Sequence, residues 1–273
     1  PARPGSFIHV VFAANLDSDR PCYRDDPSGA DLYAVRFDLA TRTASNLVRL
    51  TRDAGEAEWF PALSPEGRWG VYNQTLLRSP GPGSNRIRCV DLASGQDYSL
   101  LDQARFPAFD ASGKWLYYSV QHPSDPHLSR SAVSESGQRL TLIGKPERLA
   151  NRSAGADRIE DPAPFPDGSA IAFHRKESGA GAGLAIIQTK GGQLQALTPF
   201  DGTGHAAVSP DGSAVAGTRS ADGKIVIIRR KNGAWSPPEV LPISTSARDY
   251  ESREARFKTV REARHSYVEW ITP

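Results

Sequence analysis

The sequence predicts an all-β fold, a β-propeller built from four-stranded antiparallel blades. Three observations carry that prediction. First, the segments FPALSPEG (60–67), FPAFDASG (106–113), DPAPFPDG (161–168) and HAAVSPDG (205–212) superpose without gaps. Their glycines Gly67, Gly113, Gly168 and Gly212 lie 46, 55 and 44 residues apart, close to the blade period of about 45 residues. Second, each segment runs at once into an apolar-rich strand: RWGVYNQT, KWLYYSVQ, SAIAFHRK and SAVAGTRS. Third, the 273 residues include 24 Gly and 21 Pro, a composition that favours many turns over long helices.

The strands of one blade are named a to d outward from the centre. Strand a ends in the SPEG-type turn, where Pro presets φ, an acidic residue occupies the next corner and Gly takes the left-handed position. Strand b follows, and its alternation of large and smaller apolar residues suits a sheet covered on both faces. Strand c reads DLYAVRFD, NRIRCVDL, HLSRSAVS, GLAIIQTK and KIVIIRRK in successive repeats. Several of these end in polar hairpin turns such as ASGQ (93–96), SESG (134–137), KGG (190–192) and KNG (231–233), with Gly supplying positive φ. Strand d is short: LVRLT, YSLL, PERLA, LQALT and EVLPI.

The first repeat has no strand a of its own. EWITP at the end of the chain, continued into ARPGSFIHVVF at its start, resembles EWFPALSPEGRWGVYN. The last residues are therefore expected to supply strand a of the first blade, which would remove the open edge of the sheet. This gives five blades in a single propeller domain over residues 1–273, with the charged segment 244–266 as a helical insertion or rudimentary blade. Counting EARFKTV and HSYVEWI as strands gives a six-bladed alternative.

Hydrophobic residues make up 38% and charged residues 23% of the chain, the composition of an ordinary globular protein. No apolar run is long enough to span a membrane as a helix. The net charge of +2 gives no electrostatic footprint for nucleic acid. Met is absent, so removal of an N-terminal signal, or trimming of the chain, is expected; the first would make the protein exported. The two cysteines, Cys22 and Cys89, either pair in an oxidising compartment or remain two thiols. The sequons at Asn73 and Asn151 are at chance level.

FPALSPEGRWGVY, DPAPFPDGSAIAF and HAAVSPDGSAVAG, each followed by a strand and an LQALT-like ending, resemble the PD40 repeat of TolB-like propellers, which also occurs in prolyl-oligopeptidase-like and tricorn-type propeller domains. The resemblance covers nearly all of the chain except 244–266. It implies a bacterial, often periplasmic, β-propeller that works through protein–protein contact. The N-terminal α/β domain of TolB is not expected within these 273 residues, and the strand count differs from the usual six blades of TolB-like rings.

Catalytic motifs are missing. There is no GxSxG, no HExxH and no P-loop, and the six histidines, His9, His122, His127, His174, His205 and His265, are spread along the chain. The acidic segment 16–33 carries Asp17, Asp19, Asp25 and Asp26 but not the spacing of a calcium loop, and it reads as a solvated b–c loop. No catalytic residue, cofactor or metal is expected.

In an up-and-down blade the a–b and c–d turns share one face and the b–c and d–a connections the other. Here the a–b turns are short and repetitive, whereas the b–c and d–a connections are longer and irregular, so the second face is the expected binding face. At the start of strand a on that face stand Glu58-Trp59, Arg105-Phe106, Glu160-Asp161, Gly204-His205 and Glu269-Trp270. Glu58, Trp59, Arg105, Glu160, Asp161, His205, Glu269 and Trp270 are the candidate ligand- or partner-binding residues.

Two functions fit. One is a non-catalytic, TolB-like scaffold in the bacterial envelope, periplasmic or secreted, monomeric, with a protein or peptide partner on the channel face. The other is a carbohydrate-active propeller, a glycosidase or lyase acting on an oligosaccharide. Glu58, Asp161 and Glu269 are its candidate carboxylates, and one of the pair that acts would carry a raised pKa.

Overall fold

A computed structural model describes residues 7–14, 30–38, 41, 43–52, 56–76, 83–120, 122, 125–150, 158–190, 192, 194–219 and 224–241. They form five antiparallel sheets, and no helix occurs among them. The sheets are the blades of a β-propeller. The chain divides into two compact units, Pro1–Asn151 with Ile271–Pro273, and Arg152–Trp270.

The first unit holds three blades. The first consists of β1 (Phe7–Ala14), β2 (Asp31–Asp38) and β3 (Thr43–Arg49), in that spatial order. The second is β4 (Glu56–Leu63), β5 (Trp69–Leu76), β6 (Asn85–Asp91) and β7 (Asp97–Asp102). The third is β8 (Ala104–Phe109), β9 (Trp115–Val120), β10 (His127–Ser136) and β11 (Arg139–Ala150). The second unit holds two more. One is β12 (Arg158–Pro164), β13 (Ala170–Glu177), β14 (Gly181–Gln188) and β15 (Leu194–Ala196). The other is β16 (Thr203–Val208), β17 (Ala214–Arg219), β18 (Lys224–Lys231) and the short β19 (Ala234–Trp235) and β20 (Glu239–Val240), both paired with β18. The first blade shows strands b, c and d. The proposed closure by the chain ends, the segment 244–266 and the acidic segment 16–29 lie outside the described residues.

The repeated turn has one hydrogen bond in common. The turn glycine donates its N–H to the carbonyl three residues earlier: Gly67 to Ser64 (2.8 Å), Gly113 to Asp110 (3.0 Å), Gly168 to Phe165 (2.9 Å) and Gly212 to Ser209 (2.8 Å). All four glycines have φ between 69° and 75°, a region an L-residue enters only at a cost. The first turn residue also caps strand b. Ser64 Oγ accepts from Trp69 N–H, Asp110 Oδ1 from Trp115 N–H and Ser209 Oγ from Ala214 N–H, each at 2.9 Å. Phe165 has no side-chain acceptor and instead joins the apolar core of the second unit.

Strand b is deeply buried in three blades: β5 over its first six residues, and β13 and β17 over their first five. Between the second and third blades lies a core that includes Trp69, Val71, Ile87, Cys89, Leu116 and Tyr118. Between the two blades of the second unit lies another, which includes Phe165, Leu184, Ile186, Val215 and Ile228. Cys89 has a free thiol, and burial pushes its pKa up to about 12. Cys22 lies outside the described residues.

Two d strands differ from expectation. PERLA is only the end of β11, which runs twelve residues because a tight hairpin at Gly137 pairs Ser136 with Arg139 and two register shifts absorb the rest of its length. In the fifth blade the d position is shared, with β19 on the end of β18 and β20 farther along it.

Candidate functional site

Strand a carries a second repeated device. In β4, β8, β12 and β16 the ladder breaks at a bulge, between Trp59 and Ala62, Arg105 and Ala108, Glu160 and Ala163, and Gly204 and Ala207. Inside each bulge one residue other than glycine stands in the left-handed region: Phe60 (φ 53°), Phe106 (φ 56°), Asp161 (φ 51°) and His205 (φ 58°). Each lies seven positions before its turn glycine. A left-handed conformation costs an L-residue roughly 1–2 kcal/mol. Four such residues at one repeat position amount to a built feature that re-aims a side chain.

The bulge corrects the frame of the strand starts. Paired by geometry, Trp59-Phe60 matches Arg105-Phe106, Glu160-Asp161 and Gly204-His205, whereas the sequence reading set Glu58-Trp59 in that row. The ungapped superposition of the repeats, which begins at Phe60, Phe106, Asp161 and His205, already contained the better frame.

Glu58 consequently lies one step back, paired with Gln74 across the ladder and fully buried. Its carboxylate accepts from Gln74 Nε2 (3.2 Å) and Thr51 Oγ1 (3.4 Å). Gln74 Oε1 accepts from Arg86 Nε (2.6 Å), and Arg86 Nη2 pairs with Glu56 (2.8 Å). This is a satisfied polar network at the base of the second blade. Trp59 is half-buried opposite Asn73.

In the first unit the left-handed positions are aromatic. The Phe60 and Phe106 rings lie 4.5 Å apart between centroids. The Arg105 guanidinium sits over Phe106 at 4.5 Å and near Phe60 at 5.8 Å, distances at which the ring quadrupole attracts a cation.

In the second unit they are ionic. Asp161 Oδ2 lies 2.7 Å from His205 Nδ1 and 3.6 Å from His174 Nδ1. The two imidazoles are 5.8 Å apart. His174 comes from β13, opposite Glu160 in the ladder, and its ring lies against Gly204, where a Cβ would meet it at 3.1–3.3 Å. Asp161 and His174 side chains are each 11% exposed and His205 is 25% exposed. Burial alone would raise the pKa of Asp161, but the flanking imidazoles outweigh it and bring it down to about 2. For His205, burial pulls the pKa down, while Asp161 and then Glu160 raise it and prevail. Glu160 is buried beside them.

Of the predicted site residues, Trp59 and Arg105 fall in one unit at the Phe60–Phe106 pair, and Glu160, Asp161 and His205 fall together in the other. Glu269 and Trp270 lie outside the described residues. His174 was not predicted, although counting back from the DPAPFPDG turn along β12 and β13 places it across from Glu160. Among the described residues no group of three or more His, Cys, Asp or Glu is arranged to hold a metal ion, and no helix is long and apolar enough to cross a membrane.

Solved structures share this fold. TolB from Acinetobacter baumannii superposes with a TM-score of 0.56 and 18% identity over 84% of this chain and 51% of its own, so the chain spans about half the length of that protein. A putative TolB from Agrobacterium tumefaciens matches with a TM-score of 0.52 and 15% identity, over 85% of this chain and 88% of its own. An oligogalacturonate lyase from Vibrio parahaemolyticus gives 0.51 and 14%, over 86% of this chain and 62% of its own. No protein-family model and no curated protein sequence matches the chain. At these identities the likeness is one of architecture, and in architecture the chain is a TolB-like β-propeller.

Proposed function

We propose that the chain is a non-catalytic binding propeller of the bacterial envelope, periplasmic or secreted, that docks a protein or peptide partner through the bulged starts of its innermost strands. The observation that supports this most is the left-handed bulge itself. The same strained backbone is repeated in four blades, yet its side chain changes from Phe60 and Phe106 to Asp161 and His205. Strain that is kept while the chemistry varies is the pattern of a recognition scaffold. Trp59, Phe60 and Arg105 offer half-buried aromatic and cationic contact area, the residue types that dominate protein interfaces.

The carbohydrate-active alternative needs a carboxyl that donates a proton near neutral pH. Asp161 is held ionised, at about 2, and Glu58 is engaged in the Gln74–Thr51 network; the third candidate, Glu269, lies outside the described residues.

The test is quantitative capture from an envelope extract with the wild-type chain and, separately, with Arg105→Glu and His205→Glu, each checked for folding by circular dichroism. A defined set of proteins should be lost with at least one variant. Identical capture by all three folded proteins would refute the reading.

A further inference from the structure

We propose that Asp161, His174 and His205 form a proton-operated clasp that ties together the innermost strands of the two blades in the second unit. It rests on side-chain geometry and not on the docking function proposed above.

The clasp brings β12 and β16, from separate blades, to an ion-pair contact of 2.7 Å between Asp161 and His205. Both partners are held in left-handed backbone, at φ 51° and 58°. Strain of that kind persists only when surrounding contacts over-determine it, and the two residues at either end of this contact are the strained ones. His174 supplies a second imidazole. It is about nine-tenths buried, neither ring nitrogen has a hydrogen-bond partner, and Nδ1 stands 3.6 Å from the same carboxylate oxygen. Its ring is wedged on Gly204, the residue before His205, so it holds β16 sterically while facing Asp161 electrostatically.

The ionisable groups that face His205 are Asp161 and Glu160 from β12 and His174 from β13. Asp161 and Glu160 thus both act on His205. One proton on His205 gives a matched pair with Asp161. Its loss leaves the Asp161 carboxylate facing a neutral His205 ring. The clasp is therefore closed in mildly acidic solution and loosens as pH rises through the His205 titration.

The experiment is a histidine-resolved NMR titration of the whole chain from pH 5 to 9, with hydrogen-exchange opening free energies of β12 and β16 measured at pH 5.5 and 8.5 and corrected for the intrinsic rate. His205 should titrate above the ordinary histidine value in the wild type. It should fall back toward that value in Asp161→Asn. In the wild type, protection of β12 and β16 should drop by several-fold between the two pH values, while that of β5 and β9 stays constant. The clasp is overturned if wild-type His205 titrates at or below the ordinary value, or if β12 and β16 keep equal protection at both pH values. The wild-type readings decide the matter even if Asp161→Asn does not fold. Loss of partner capture in the Arg105→Glu and His205→Glu experiment would bear on the docking function alone.

Discussion

The Phe60–Phe106 pair of the first unit and the Asp161–His205 pair of the second occupy the same place in the repeat, on the same kinked backbone, and are held by opposite kinds of force. The aromatic pair is kept by apolar burial and an Arg105 lid, which pH does not touch. The ionic pair is kept by charge, and its strength follows proton occupancy. The contrast teaches that the backbone of strand a sets where the side chain goes, while the residue at the bulge decides what condition the contact answers to. One architecture thus carries a constant joint and a titratable joint.

The largest expected difference between the joints is their mutational cost. Phe106 is 5% exposed, and Phe106→Ala should cost about 3–5 kcal/mol in urea unfolding at any pH from 5 to 9. His205→Ala should cost less, about 1–2 kcal/mol at pH 5.5, and less still at pH 9. Equal costs for the two, or a pH-independent His205→Ala effect, would erase the distinction.

A smaller effect comes from making the second joint resemble the first. His205 has a raised pKa, so its contribution is complete below 6.5 and is lost as pH rises through the folded value. Asp161 has a lowered pKa, so its contribution is present above 3.8 and is lost as pH falls toward about 2. The pair therefore stabilises most between roughly pH 4 and 6.5. The double variant Asp161→Phe with His205→Phe should flatten this profile, because it removes both titrating partners. A pH profile as steep as that of the wild type would place the titration elsewhere.

The smallest effect concerns the residue after the kink. Pro61, Pro107 and Pro162 follow the first three left-handed residues, but Ala206 follows His205. Ala206 sits in the bulge, where the ladder skips from Gly204 to Ala207, so its N–H is not called on by the sheet. Ala206→Pro should raise stability by about 0.4–1 kcal/mol by restricting the unfolded chain. A loss in melting temperature would mean that the fourth bulge is not equivalent to the other three.

Most of the blade plan was legible in the residues. SPEG-type turns, apolar b strands and Gly-marked c–d hairpins each follow from local chemistry, and β2, β6, β14 and β18 lie where the periodicity set them. The bulge was not legible. A left-handed Phe or Asp leaves no compositional mark, since nothing in the side chain demands it and the tertiary contacts impose it. Glu58 was set at the strand start although it is buried in a hydrogen-bonded network, and Phe60 was passed over although the superposed repeats begin at it. The convergence of His174 and His205 was hidden for another reason. They are 31 positions apart in sequence, and only the packing of one blade's b strand on the next blade's a strand brings them together. The length of β11 depended on a hairpin turn and two register shifts that short-range patterning does not encode.

The turn glycines have one more consequence. A Cβ on Gly113 would stand 3.3 Å from Pro65, and one on Gly212 would stand 3.5 Å from Phe165 and 3.6 Å from Pro166. Each of these turns leans on the corresponding turn of the blade before it. The second and fourth blades supply the seat and the third and fifth the leaning glycine, so each joint is made from two unlike partners. Copying one blade alone would separate the glycine from its seat, whereas copying the pair would carry the fitted joint over whole.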